Sequence, residues 1–185
     1  EFVSGTSVAR DFVELPSQLY EHWLSVPEVL ARHARHVETG EPMPETLLER
    51  VLAARTYDTG FQTVEYLASA LVDLDLHTGE APGDPAAAER ATLARIAMPE
   101  AIPMRHASPH FLHVFSGDGY AAGYYSYLWS EVMDADAFAA FEEAGDPFDA
   151  QVAGRLAAEI LSRGGSRDPE DLYIAFRGRL PGVDA

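Results

Sequence analysis

The 185 residues contain no cysteine and no lysine. Without cysteine there is no disulfide framework and no thiolate metal site, so any bound metal ion has to be held by histidine and carboxylate. Without lysine, all 13 basic residues are arginines, and they face 30 acidic residues for a formal charge of -17. That balance disfavours phosphate backbones and anionic membranes as partners, since both require a counter-charged face. No apolar run approaches the ~18 residues that cross a bilayer. The opening residues Glu1, Phe2 and Val3 form neither a basic leader nor an apolar one. A soluble, cytoplasmic chain is expected. An initiator methionine is also lacking, so translation is expected to start upstream, where a targeting signal would lie outside these residues.

Period-two alternation with β-branched enrichment is nearly absent as well, whereas apolar residues recur at helical spacing almost throughout. The expected fold class is all-α, one domain over residues 1–185, with 47% hydrophobic residues to supply a core. The spacing predicts helices over about 8–24, interrupted at Pro16, then from Pro27 to Gly40 and from Pro44 to Tyr57. Further helices are expected from Phe61 to His77 and from Asp84 to Pro99. Residues 99–119, with three prolines and three histidines, break the pattern and read as a long loop. A long apolar helix over 120–144 and two shorter ones over about 148–161 and 168–179 complete the chain. No internal repeat or low-complexity segment is found.

Two segments carry chemistry. The first runs Ser4-Gly5-Thr6-Ser7-Val8-Ala9-Arg10-Asp11-Phe12-Val13-Glu14-Leu15-Pro16-Ser17-Gln18. On the expected helix Arg10 and Glu14 share a face, with Asp11 beside them, which by itself is better explained as an exposed ion pair. The second runs from His110 to Trp129 and holds Tyr120, Tyr124, Tyr125 and Tyr127. A buried aromatic stripe is one reading of such a run. The upstream glycines Gly117 and Gly119 favour the other, a backbone that approaches a ligand and a loop that can move over a cleft.

Ser-Gly-Thr followed by Asp-Phe-Val-Glu, Pro-Ser-Gln and Glu21-x-Trp23 closely resembles a signature of the thimet oligopeptidase, neurolysin and peptidyl-dipeptidase family of zinc metallopeptidases. The resemblance implies the C-terminal portion of a zincin-type catalytic domain. It makes Glu14 a zinc ligand, completing a set whose two histidines come from an upstream His-Glu-x-x-His helix. A His₂Glu set leaves a fourth position open for water. By the same resemblance Arg10 supports that ligand from one turn away.

The second segment is also similar to the family, in which a histidine and a glycine-rich loop precede a tyrosine-rich helix. The resemblance assigns Tyr127 as donor to the developing oxyanion, a contact worth ~3 kcal/mol of barrier, with Tyr120 as a second catalytic contact. It places His113 and Tyr124 beside the substrate backbone, with His110 competing for the place of His113. The Gly165-Ser166-Arg167-Asp168-Pro169 turn and the Phe176-Arg177-Gly178-Arg179 tail also resemble the family.

None of the seven histidines (22, 33, 36, 77, 106, 110, 113) sits in a His-Glu-x-x-His pattern. His106 and His110 have the spacing, but Ala107 stands in the second position and Pro109 breaks the helix that would align them. His33 and His36 lie beside Arg32 and Arg35, which repel a cation. The expectation is therefore a fragment of a larger peptidase that cleaves short unstructured peptides. It should be inactive without its N-terminal remainder and prone to self-association through apolar surface that the remainder would cover. The alternative is a non-catalytic helical interaction module that has lost the metal site.

Overall fold

The structure is a computed structural model that describes residues 3–182. Those residues form helices and turns with no β-strand, apart from one isolated bridge between Arg35 and Pro42. The all-α expectation holds. The chain divides into two compact units, Glu1–Leu52 with Ser126–Ala185, and Ala53–Tyr125.

The first unit contains α1 (Leu15–Glu21), α2 (Pro27–His33), most of α3 (Glu45–Ala54), α4 (Ser126–Ala144), α5 (Ala150–Leu156) and α6 (Pro169–Arg177). Its core is built from Phe12, Leu15 and Leu19 of the α1 region, with Met133, Ala137 and Phe141 of α4. Val152, Leu156, Leu172 and Phe176 close it from the last helices. Trp23, from the Glu-x-Trp pattern, packs edge-on against Phe138 and Phe141 at 5.0 Å and donates its indole N–H to the Pro147 carbonyl at 2.9 Å. That tryptophan is a core anchor with its polar end satisfied.

The second unit contains α7 (Thr59–His77) and α8 (Pro85–Arg95), which pack together. They are followed by a one-turn helix α9 (Leu112–Phe115) flanked by short 3₁₀ turns at Ser108–His110 and Asp118–Tyr120. Asp84 caps α8 by accepting the Ala87 N–H at 3.0 Å, with Pro85 in the first turn as expected. The segment read as a long loop is thus given local structure by these turns. Glu89 of α8 accepts both the backbone N–H and the hydroxyl of Ser108, at 2.7 and 2.6 Å.

Several boundaries differ from the expected ones, three of them near the candidate residues or at a glycine. Helix α1 starts at Leu15, not near Val8, because Pro16 opens the helix from its first turn, where its missing N–H costs nothing. Residues 9–14 are successive turns closed by Phe12 N–H to Ala9 O (3.0 Å) and Leu15 N–H to Phe12 O (3.3 Å). Helix α2 stops at His33, and Gly40 lies further on with φ of +70°. The tyrosine-rich helix begins at Ser126, so Tyr127 is helical while Tyr120 and Tyr124 are not.

Candidate active site

Glu14 occupies the N-cap position of α1, half-buried, and its side chain caps none of the backbone N–H groups of that helix. Its Oε2 instead accepts the Ser17 hydroxyl at 2.7 Å. The helical spacing that would bring Arg10 onto the face of Glu14 is absent, since both lie in the turns before α1, and Arg10 is exposed. The basis for a shared face is therefore corrected: a proline at position 16 ends the helix on its N-terminal side before it can include Arg10.

Two cross-links fasten this strip to α4 within the same unit. Gln18, one turn after Glu14, donates from Nε2 to the carbonyl of Tyr127 at 3.1 Å. Ser130, three residues after Tyr127, donates its hydroxyl to the carbonyl of Asp11 at 3.1 Å. The bonds are made by residues on either side of Glu14 and by the first turn and a half of α4. They hold the carboxylate-bearing strip against the helix end that carries the half-buried Tyr127. One turn further along α4, Asp134 lies 2.6 Å from His22 Nε2, and the His22 ring stacks on Phe138. Burial raises the Asp134 pKa and the His22 hydrogen bond opposes that rise.

The second unit gathers the other sequence-derived residues. Tyr124 is the hub: its ring lies 4.9 Å from Phe111, 5.4 Å from Tyr66, 5.6 Å from His113 and 5.8 Å from His106. His113 also lies 4.9 Å from Tyr120, so His113, Tyr120 and Tyr124 form one continuous cluster despite their lack of a common helix. His113 and Tyr120 are exposed, the latter at 41%. His110 ends the neighbouring 3₁₀ turn, exposed, while the histidine stacked beneath the cluster, 5.0 Å from Phe111, is His106. Burial first, and Arg105 second, depress the His106 pKa, and burial raises that of Tyr124. Both shifts favour the neutral forms of His106 and Tyr124, and the ring faces and polar edges of the cluster suit uncharged polar groups such as peptide bonds.

Sequence reasoning missed the residues beneath this cluster. Asp73 of α7 is fully buried, accepting the N–H of Ala122 at 3.0 Å and of Tyr124 at 2.8 Å, with His77 Nδ1 2.8 Å from its Oδ1. Tyr66 donates its hydroxyl to the Tyr124 carbonyl at 2.6 Å. The signal was present: a lone charge inside the apolar run Ala68-Ser69-Ala70-Leu71-Val72-Asp73-Leu74, where a carboxylate survives only when it is hydrogen-bonded.

Among the described residues no group of three His, Asp or Glu side chains is arranged to hold a metal ion. A cavity of about 810 Å³ opens on the first unit, lined by Phe12, Trp129, Met133, Pro169, Tyr173 and Leu180 among others. Neither Glu14 nor Tyr127 is in its wall. Along its flank the core is tied by a polar network in which buried Asp136 accepts Tyr173 Oη at 2.8 Å and Arg177 Nε at 3.1 Å, while Arg177 also pairs with Glu143 at 2.5 Å.

Comparison with known proteins agrees with the motif reading. Oligopeptidase A of Escherichia coli is 47% identical over 99% of this chain. Dipeptidyl carboxypeptidase of Salmonella typhimurium is 43% identical over 98%, and a probable cytosolic oligopeptidase A of Arabidopsis thaliana is 42% identical over 95%. The chain spans only about a quarter of each relative's length, 27%, 27% and 26% respectively. The family model that matches residues 1–185 is that of Peptidase family M3, and the chain belongs to this family.

Proposed function

We propose that these residues are the C-terminal portion of the catalytic domain of a zinc-dependent cytoplasmic peptidase, an oligopeptidase or peptidyl-dipeptidase that hydrolyses short peptides. The observation that carries the reading is the pair of cross-links that fastens the Glu14 strip to the Tyr127 end of α4. Glu14 suits a ligand position because its carboxylate is not spent on capping α1 and is steadied by one hydroxyl donor, Ser17. Two histidine ligands would come from a His-Glu-x-x-His helix in the remainder of the polypeptide. When bound, the ion supplies a Lewis acid that polarises the scissile carbonyl and activates water.

The residues of this chain then have distinct tasks. Tyr127, fixed through its own backbone carbonyl by Gln18, donates its phenolic proton as a hydrogen bond to the carbonyl oxygen as negative charge develops there. His113, Tyr120 and Tyr124 offer hydrogen-bonding edges and ring faces to the substrate backbone. Arg10 supports the Glu14 strip from its exposed turn. Among the described residues Glu14 is the one proposed ligand and none is assigned as general base, so the chain alone is expected to be inactive without the remainder. A non-catalytic interaction module is less well supported, since 42–47% identity to named peptidases covers nearly the whole chain.

Tyr127→Phe in the full-length polypeptide tests the assignment. Its kcat on a short peptide should fall about 100-fold with unchanged zinc content. Unchanged turnover would remove Tyr127 from the mechanism.

A further inference from the structure

The segment that carries Tyr120 and Tyr124 is not held by a helix of its own. Residues 121–125 precede α4 as turns, and Ala122 adopts φ of +56°, a left-handed conformation that a residue with a Cβ leaves unless its surroundings hold it. Its backbone groups are instead met by side chains from α7. Positions 66, 73 and 77 are seven and four residues apart and so form one stripe along that helix. From this stripe Asp73 accepts two N–H groups, one on each of its oxygens: Ala122 N–H on Oδ1 and Tyr124 N–H on Oδ2. Tyr66 meets the Tyr124 carbonyl, so the peptide groups on both sides of the Tyr124 side chain are fixed from the same helix. His77 closes the arrangement, with Nδ1 2.8 Å from Asp73 and its ring 5.1 Å from Phe115 of α9, two residues beyond His113.

We propose that Asp73 and Tyr66 are positioning residues: together they hold the 122–124 backbone so that Tyr120 and Tyr124 meet the substrate in a set orientation. A carboxylate that only filled space in an apolar helix would be replaced without loss by an apolar residue. This one ends on the stretch whose side chains are the proposed substrate contacts. The inference rests on the peptidase reading for its catalytic consequence, although the anchor itself can be measured independently.

The test uses the full-length enzyme with Asp73→Asn and Tyr66→Phe, each alone and combined with Tyr120→Phe. An asparagine keeps the shape but offers one acceptor oxygen where the carboxylate offers two, so one N–H loses its partner. Asp73→Asn is expected to lower kcat/KM roughly tenfold at unchanged zinc content, and Tyr66→Phe by a smaller factor. Because both act through the tyrosine segment, their losses should be less than additive with that of Tyr120→Phe, whereas a merely structural defect would add in full. Hydrogen exchange should quicken in peptides covering 120–125 and stay unchanged in α4. Full additivity, or unchanged exchange in 120–125, overturns the proposal. If Asp73→Asn does not fold, the Tyr66→Phe cycle decides alone. If the wild-type enzyme cleaves no peptide, the peptidase reading fails, while the exchange measurement still decides whether the anchor exists.

Discussion

At the scale of single residues, burial sets the protonation of a carboxyl in the first unit. Asp134, with a side chain 6% exposed, lies 2.6 Å from His22. Its pKa is raised from the ordinary 3.8, chiefly by burial, with Glu131 and Glu21 adding to the rise and the His22 hydrogen bond opposing it. A carboxyl raised in the fold binds more protons folded than unfolded within the window between the two values. Its contribution is thus fully present below about pH 4 and declines as pH rises through the raised value. Asp134→Asn should remove that decline. The difference in stability between wild type and variant, followed by urea unfolding from about pH 4 to about pH 7, should shift against the wild type as pH rises. Parallel curves would contradict the assignment. Glu14 and Tyr127 stand out in the sequence as candidates because each sits in a long motif. For Asp73 the apolar run signals only that the carboxylate needs partners, and which partners it has is not recorded by local spacing, because it accepts from a backbone almost 50 residues away.

Among the elements, the helices were readable where an aspartate cap and a proline mark the start, as at Asp84-Pro85 and Asp168-Pro169. They were misread where the stop has no marking residue. Helix α8 ends in a Schellman motif, with Met98 N–H to Leu93 O at 3.0 Å and Ala97 N–H to Ala94 O at 3.1 Å, but the left-handed position is Ala97 at φ of +55°. Glycine is the usual residue there, and its absence placed the expected end at Pro99. Ala97→Gly should therefore stabilise the chain by about 1 kcal/mol, read as a higher urea midpoint at unchanged slope. A lower midpoint would show that the left-handed alanine carries no strain. The tyrosine run shows the same limit. Its spacing suggests a continuous helix, but the carboxylate and hydroxyl on α7 offer the 122–124 backbone partners that a helix would otherwise supply.

For the whole molecule, the chain spans about a quarter of the length of its relatives, and no described helix is long and apolar enough to cross a membrane. In the first unit Leu24, Val37, Trp129 and Phe148 stand more than half exposed, and the apolar cavity opens on the same unit. Surface of that kind favours association, while a charge of -17 opposes it through repulsion that salt screens. The 185-residue chain should consequently elute later at low ionic strength and self-associate as salt is raised. A clean monomer at every salt concentration would contradict this. The central claim, that Glu14 completes a zinc site with ligands from the rest of the polypeptide, is tested most directly by the metal content of the purified full-length protein and its Glu14→Ala variant. The wild type is expected to carry one zinc per chain and the variant to lose it while remaining folded. A folded Glu14→Ala protein that retains zinc at the wild-type ratio would contradict the account.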